Sequence, residues 1–156
     1  MARHGKTPKR TIDADSVYNS GLVQRLINKL ILDGKKSKAE RIVYDAFAVV
    51  KDKLKREPLE VFEKALQNLT PMLEVKARRV GGATYQIPIE VSRSRGQALA
   101  LQWLRDVCRA KKGKTMTVSL AQELMDASSG TGEAIKKRED LHKTAEANKA
   151  FSHFRW

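Results

Sequence analysis

The sequence predicts a mainly α-helical protein, a six-helix bundle with one protruding two-stranded β-hairpin. Six segments have helical patterns, and in five of them apolar residues recur at three- and four-residue spacing. Between the third and fourth segments, the pattern changes to two short runs around a Gly-Gly pair, which is typical of a hairpin. A chain of 156 residues with 41% hydrophobic residues is long enough to bury one core in one domain.

Three helices are predicted before the hairpin. The first spans about residues 20–34 and ends at a glycine. The second begins at Ser37, with Glu40 three residues later, which is the spacing of a capping box. The third has Pro58 near its first turn and ends before Pro71.

The hairpin is predicted at about residues 73–91. Its two strands flank Gly81 and Gly82, which can take the positive φ angles that a tight turn requires. A two-residue loop places Arg78 opposite Tyr85. Neither face of the ribbon is cleanly apolar, so we expect it to project from the body rather than to form a core sheet.

Three further helices are predicted near residues 94–110, 118–127 and 133–149. On the apolar face of the fourth helix, Trp103 is predicted to pack in the core and Cys108 to be a buried, inert thiol. After the last helix, aromatic side chains can either stack on nucleic-acid bases or dock on the protein's own helices. These aromatic residues are Phe151, Phe154 and Trp156.

Positive charge is unevenly distributed along the chain. The net charge is +13, from 31 Lys and Arg against 18 Asp and Glu. Residues 1–10 carry 4 basic residues and no acid, and residues 71–114 carry 10 basic and 3 acidic residues, so 11 of the 13 excess charges lie in these two segments. Such a field attracts polyanions, with nucleic acid as the first candidate and an anionic membrane face as the second. We predict a basic, flexible N-terminal arm at residues 1–17 and a single helical domain at residues 18–156.

Composition and spacing exclude several chemistries. One cysteine cannot form an internal disulfide, and three dispersed histidines have no zinc-binding spacing, so we predict no metal and no cofactor. The sequence GKKS at 34–37 lacks both the first glycine and the final Ser or Thr position of a phosphate-binding loop. No acidic pair marks a general acid and base, so no catalytic residue is predicted. No apolar run approaches the roughly 18 residues that a membrane span needs.

A basic stripe on the fourth helix is the clearest surface signal. At about 100° per residue, the apolar side chains of this helix cover one face and the basic ones lie on the other. Ordinary solvated faces mix Lys and Glu, whereas Asp106 is the one acidic residue within this stripe. We therefore predict phosphate contacts there. The residues concerned are Arg93, Arg95, Arg105, Arg109 and Lys112.

Three function classes are compatible with a soluble cationic domain of this kind. A noncatalytic RNA-binding protein presents Arg and Lys to the phosphates of a structured RNA. A DNA-binding regulator requires a short basic helix that enters the major groove, and dimeric half-sites. A nucleic-acid-processing enzyme requires a carboxylate cluster for metal or a positioned base. The distribution of basic residues over an arm, a ribbon and a long helix favours the first class.

Four blocks of the sequence closely resemble the bacterial small-subunit ribosomal protein S7 family. They keep their order and spacing: LILDGKKS at 30–37 with ERIVYDA at 40–46, EVKARRVGGATYQIPIEV at 74–91, KKRED at 136–140 and AEANKAF at 145–151. The likeness runs from about Tyr18 to Trp156. The chain departs from the family pattern in its arm, which is less arginine-rich, and at Asp15, where the family has proline.

The resemblance implies a structural, noncatalytic component of the small (30S) subunit, bound to ribosomes in the cytoplasm. It implies primary binding to the 3′ domain of 16S rRNA, nucleation of head assembly, and a position near the decoding region, with the hairpin beside the exit-site tRNA and mRNA. It also implies ribosomal proteins S9 and S11 as neighbours. We expect no membrane association and no homo-oligomer.

Carried over by position, the resemblance implies two groups of site residues. The rRNA contacts include the basic stripe of the fourth helix together with Arg3, Lys6, Lys9, Arg10, Arg25, Lys29, Lys35 and Lys36. The residues near tRNA or mRNA are those of the hairpin: Arg78, Arg79, Gly81, Gly82 and Tyr85.

Overall fold

In the computed structural model of the chain, the described residues are 11–154, without the side chains of Val80 and Phe154. The predicted arm contacts of Arg3, Lys6, Lys9 and Arg10, and the role of Trp156, therefore lie outside the described residues. Six α-helices and one antiparallel hairpin confirm the predicted architecture. In chain order the elements are α1 (Gly21–Leu30), α2 (Lys36–Leu54), α3 (Pro58–Leu69), β1 (Leu73–Val80), β2 (Ala83–Glu90), α4 (Arg93–Ala110), α5 (Met116–Ser128), α6 (Glu133–Ala147) and a C-terminal 3₁₀ helix (Lys149–Phe154).

The core forms around α5, which contacts α2, α3, α4 and α6. Its Leu120 and Leu124 are at most 1% exposed, because an apolar residue every three or four positions keeps one face of the helix inward. Aromatic rings extend the core between α2 and α3. Phe47 lies with its ring centroid 5.1 Å from that of Tyr18 in an edge-to-face arrangement, and 5.7 Å from that of Phe62.

The segment before α1 is anchored to α2 by a buried carboxylate. Asp15 is 3% exposed, and it accepts hydrogen bonds from the backbone N–H groups of Val17 (3.1 Å) and Tyr18 (3.0 Å). The phenolic O–H of Tyr44 donates a third hydrogen bond at 2.6 Å. Asp15 therefore ties the approach to α1 to the next helix.

The capping box predicted at Ser37 is wrong. Residue Lys35 is the N-cap of α2, and no side chain caps it. The preceding turn has left-handed backbone at Asp33 (φ 52°) and Gly34 (φ 74°), which turns the chain into the helix before Ser37 is reached. Glu40 instead pairs with Lys36, four residues earlier, at 3.4 Å.

The two residues singled out on α4 have different environments. Cys108 is 2% exposed as predicted, and burial, with the charge of Glu123 beside it, raises the pKa of its thiol to about 12. A thiol with so high a pKa carries almost no thiolate at neutral pH, so it is inert. Trp103 is only half-buried and does not belong to the core, so its predicted core packing is wrong.

A second buried carboxylate joins α4, α5 and α6. Glu123 of α5 is fully buried, and its Oε1 accepts a hydrogen bond from the Ala134 backbone N–H at 2.8 Å, in the first turn of α6. Its Oε2 lies 2.6 Å from the Lys111 Nζ just after α4. Gly132 gives room for this contact, since a Cβ there would lie 2.9 Å from Glu123 Oε1. The carboxylate thus neutralises both the lysine and the positive end of the α6 dipole.

The hairpin is packed at its base and exposed at its tip. Its register pairs Arg78 with Tyr85 as predicted, and Gly81 (φ 58°) and Gly82 (φ 90°) form the two-residue turn. Ile87 is 1% exposed, since this half of the ribbon lies against α6 and the C-terminal 3₁₀ helix. The ring of Phe151 packs on that of Tyr85 with 5.0 Å between centroids, so this aromatic residue docks on the hairpin.

The connection from α3 into β1 is held by two side chains of α6. The Arg138 guanidinium donates to the Asn68 carbonyl at the end of α3. The His142 Nε2 accepts a hydrogen bond from the Met72 backbone N–H at 3.2 Å. On the other side of the connection, Gly96 of α4 approaches so closely that a Cβ there would lie 2.8 Å from Thr70 Cγ2. The hairpin therefore begins from a corner fixed on both sides.

Candidate RNA-binding surface

A groove between α1 and the start of α4 brings together basic residues that are far apart in the sequence. It has a volume of about 660 Å³. Arg25 and Lys29 line it from α1, where four-residue spacing places them on the same side of the helix, and Arg95 lines it from α4. We call this the α1–α4 groove. Arg95 belongs to the predicted α4 stripe, and Arg25 and Lys29 are predicted rRNA contacts outside that stripe.

Hydrogen bonds hold two of these guanidinium groups at the rim. Arg25 Nη1 donates to Gln97 Oε1 at 3.3 Å, which links α1 to α4. Arg95 Nε donates to Glu74 Oε2 at 3.2 Å, and its side chain is 58% exposed. Glu74 also pairs with Lys76 at 3.7 Å, so one carboxylate is shared between two cations. The Glu74 side chain is only 12% exposed, whereas those of Arg95 and Lys76 are more than half exposed, so both cations keep solvent-facing atoms that a phosphate can reach.

The C-terminal half of the α4 stripe divides into exposed and partly buried residues. Arg109 is exposed and donates to the Leu30 carbonyl at 3.3 Å, which is one of the acceptors left unpaired at the end of α1. Lys112 is exposed. Arg105 is only 25% exposed in its side chain, and its Nη2 lies 2.6 Å from Asp106 Oδ1. Of the stripe, Arg105 is therefore the residue most engaged within the protein itself.

The turn between α1 and α2 presents two exposed lysines. Lys35 has a side chain 60% exposed and lies 3.9 Å from Asp33, and Lys36 is 55% exposed beside Glu40. Exposed pairs of this kind exchange readily for another anion, because solvent screens their attraction. Both lysines stay available for the predicted phosphate contacts.

Arg93 lies in a different groove from Arg95. This second groove, of about 580 Å³, runs between α1, α3 and α4 and includes Glu63 and Met72. Residues two positions apart on a helix are rotated by about 200° around its axis, so Arg93 and Arg95 point to different sides. The structure therefore does not bring Arg93 together with the other cations at the α1–α4 groove.

The hairpin tip carries a second basic surface. Arg78 and Arg79 are exposed and point to opposite faces of the ribbon, because side chains alternate along a strand. Gly81 and Gly82 are exposed with open space around them, so a polymer backbone can approach closely. Tyr85 is half-buried at the ring contact with Phe151.

Several polar groups of the α1–α4 groove were not predicted from the sequence. Asn28 and the hydroxyl residues Ser92 and Ser94 line it beside the arginines, and so does the 46% exposed Ile12. Ser92 and Ser94 lie at the N-terminus of α4, where backbone N–H groups favour anions. Their position next to Arg93 and Arg95 in the sequence is the one signal that pointed to them.

The described part of the chain offers neither a metal site nor a membrane span. Within residues 11–154, no group of three or more His, Cys, Asp or Glu side chains is placed to hold a metal ion. Across the same residues, none of the helices combines the length and hydropathy needed to cross a bilayer.

A helical body with a basic groove and a basic hairpin tip is typical of the class of proteins that bind folded RNA through the phosphate backbone of the RNA. The sequence model of one family, described as ribosomal protein S7p/S5e, matches residues 2–149. The chain belongs to this family. It is therefore a small-subunit ribosomal protein, an RNA-binding component of a ribonucleoprotein that acts in translation, bound to the ribosome in the cytoplasm.

Curated relatives align over the full length of both chains. The small ribosomal subunit protein uS7 of Moorella thermoacetica is 56% identical over 156 residues. The protein of the same name from Syntrophomonas wolfei is 57% identical, and that from Dictyoglomus thermophilum is 58% identical, each over 156 residues. The resemblance found in the sequence blocks is thereby confirmed for the whole chain.

Proposed function

We propose that this protein binds the 3′ domain of 16S rRNA directly, as a primary and noncatalytic binding protein that nucleates assembly of the small-subunit head. The observation that carries this proposal is the convergence of Arg25, Lys29 and Arg95 on one groove. They come from helices that are distant in the sequence. A fold that fixes three cations around one concave surface suits a folded polyanion better than a small anion.

Further cations extend this surface in two directions. Arg109 lies beside the C-terminal end of α1, and Lys35 and Lys36 follow at the turn into α2. The N-terminal arm is proposed to add its own phosphate contacts with residues 1–10, which carry no acidic group. Contacts spread over a body and an arm favour RNA junctions and loops, because the deep major groove of an A-form duplex hides its base edges.

A salt titration tests direct rRNA binding. We expect filter binding of the whole protein to a 3′-domain transcript to weaken steeply with salt. Six phosphate contacts give log K against log salt a slope of about −4 to −5. Duplex DNA of equal length serves as the competitor, and equal affinity for both would favour the DNA-binding alternative. A nearly flat titration would contradict the proposal.

The hairpin tip is proposed to lie beside the exit-site tRNA and mRNA, near the decoding region. Support comes from the exposed Arg78 and Arg79 on opposite faces of the ribbon, which can contact two polyanions at once. Crosslinking from a photoreactive side chain in place of Thr84, in assembled subunits with tRNA and mRNA bound, tests this placement. Crosslinks confined to rRNA would contradict it.

The proposed protein neighbours are S9 and S11, and the protein is proposed to act as a monomer without catalytic activity. Affinity purification of assembled heads with crosslinking tests the two neighbours. Sedimentation of the free protein at increasing concentration tests the monomer, and a rising mass would contradict it. Incubation with labelled RNA and Mg²⁺ tests catalysis, since any turnover would contradict a purely structural role.

A further inference from the structure

We propose that the α1–α4 groove receives one unpaired nucleotide of the bound RNA, with its base inside the groove and its flanking phosphates on the basic rim. This inference rests on the proposed rRNA binding and specifies which RNA conformation the site takes. It is carried by the coexistence of an apolar interior and a cationic rim in one concave site.

The interior of the groove is apolar, which a site for phosphates alone does not require. Leu101, 1% exposed, and the half-buried Ala98 line it from α4. Ile12, 46% exposed, lines it from the segment before α1. A large β-branched side chain left half in water loses apolar exposure when a flat ring covers it. The volume of about 660 Å³ lies within the range of roughly 300–1,000 Å³ that is typical of small-molecule sites.

Polar groups of the groove match the edges and the backbone of a nucleotide. Asn28 lines it, and its Oδ1 accepts a hydrogen bond from Gln24 Nε2 at 3.0 Å, which orients the side-chain amide. Ser94 adds a hydroxyl that can donate or accept. Arg25 lines the groove from α1 and Arg95 lines it from α4, so the phosphates on either side of an inserted base can each meet a guanidinium.

Paired RNA does not fit this arrangement. A base within a duplex has its faces stacked and its edges paired, so it cannot enter the groove without leaving the stack. Unpaired bases in loops and bulges are already unstacked, and they present apolar faces and polar edges together. A bulged or loop nucleotide is therefore the occupant that uses all the surfaces of the groove.

Two variants fill or weaken the interior without changing the charge. Ala98→Leu adds volume inside the groove. Ile12→Ser removes an exposed apolar side chain, at a position that is not part of a helix. Ala48→Leu, at an exposed position of α2, is the matched control for helix stability and added bulk. Thermal unfolding of each variant checks the fold before its affinity for the 3′-domain transcript is measured.

We expect Ala98→Leu and Ile12→Ser to weaken binding about tenfold and to leave the salt slope unchanged, because no phosphate contact is lost. Arg25→Ala is expected to weaken binding and to make the slope less steep by about one. If both groove variants bind like the wild type while Arg25→Ala does not, the base-insertion inference is wrong and rRNA binding stands. If the wild type shows no specific binding, the proposed function itself fails.

An abasic scan identifies the inserted nucleotide. Synthetic 3′-domain RNAs, each lacking the base at one unpaired position, are bound to the wild type and to Ala98→Leu. One position is expected at which base removal costs the wild type about tenfold and costs Ala98→Leu much less. Equal losses for the two proteins at every unpaired position would overturn the inference.

Discussion

Lys111 and Lys112 are adjacent in the sequence but have opposite environments. Lys111 Nζ lies 2.6 Å from the fully buried Glu123, whereas Lys112 is exposed. Although partial burial disfavours the charged form of Lys111, the hydrogen bond and the negative charge of Glu123 raise the pKa of its ammonium above the ordinary value. One lysine thus stabilises the fold, and the other is available to RNA.

A matched pair of substitutions separates these two roles. Lys111→Met leaves the Glu123 carboxylate buried without its partner, and we expect a loss of about 3 kcal/mol in the free energy of unfolding. Lys112→Met is expected to change stability by less than about 0.5 kcal/mol and to make the salt slope of RNA binding less steep by about one. Urea denaturation and filter binding measure the two effects. A greater loss of stability from Lys112→Met than from Lys111→Met would contradict this assignment.

Asp15 stabilises the fold in its ionised form. Burial raises the pKa of its carboxyl, but the hydrogen bonds from Tyr44 and from the Tyr18 and Val17 amides outweigh burial and hold the pKa below its usual value. A lowered pKa in the folded state means that Asp15 contributes stability above the ordinary pKa, and that this contribution is lost as the pH falls through the folded value. Asp15→Ala should cost about 1–3 kcal/mol at pH 7, since it leaves the buried donors unpaired.

The pH dependence supplies the control for Asp15. Asp15→Asn keeps an acceptor for the two amides but does not titrate. The stability difference between wild type and Asp15→Asn is therefore expected to be constant near neutrality and to shrink below about pH 4, measured by urea denaturation. A difference that grows on acidification would show that the carboxylate is not the stabilising form.

Among the elements, the hairpin depends on α6 through a titratable contact. Burial, with the nearby Arg138 charge, lowers the pKa of His142 below 6.5, and its neutral Nε2 accepts the Met72 N–H. Because the folded pKa is lowered, the contact is intact above about pH 6.5 and is lost as the pH falls through the folded value. We expect hydrogen-exchange protection of the Met72 amide to decrease as the pH is lowered below about 6.5. In His142→Gln, whose side-chain carbonyl accepts at any pH, the decrease should be absent.

The close approach of α4 to the α3–β1 connection gives a prediction from two glycines. A Cβ at Gly96 would lie 2.8 Å from Thr70 Cγ2 and 3.1 Å from the Pro71 carbonyl oxygen, whereas nothing lies within 4 Å of one at Gly21. Gly96→Ala is expected to destabilise the protein by about 1–3 kcal/mol, because backbone must shift. Gly21→Ala, in the first turn of α1, is expected to be neutral or to stabilise by up to about 1 kcal/mol. Thermal unfolding compares them, and equal melting temperatures would contradict the close packing.

For the whole molecule, the arrangement of charge predicts which cations set the salt dependence. Replacing Arg25, Lys29 and Arg95 together by Ala is expected to make the salt slope less steep by about 2 to 3, because three phosphate contacts are lost. Arg41→Ala is the control, since Arg41 is 85% exposed on α2 and lies outside the groove. A filter-binding series over salt measures both. An equal change of slope from Arg41→Ala would mean that net charge, rather than the groove, governs binding.

The periodic features of the fold could be predicted, because they repeat along the chain. The hairpin register followed from Gly81-Gly82 and the two-residue alternation of a strand, and the helices followed from apolar spacing. The buried contacts of Asp15 and Glu123 could not, since a pairing between distant side chains leaves no period in the sequence. The capping box failed because a left-handed turn at Gly34, rather than a side chain, starts α2.

The basic surface was predictable only in part, for the same reason. The α4 stripe identified the correct helix, but the side-by-side position of α1 and α4 decides which of its residues meet Arg25 and Lys29. Arg93 therefore lies apart from Arg95, and Arg105 is largely occupied by Asp106. The α1–α4 groove is a tertiary feature that neither helix shows alone.

The fixed corner beneath the hairpin has a mechanical consequence. From the ring contact at Tyr85, only two residues of each strand and the Gly81-Gly82 turn extend toward the tip, a reach of roughly 10 Å at about 3.4 Å per residue. Below this level, Arg138 and His142 hold the connection from which β1 begins, so the hairpin is tied to α6 at its root. Force that a ligand applies at the tip therefore has a direct path to α6 and to the end of α3.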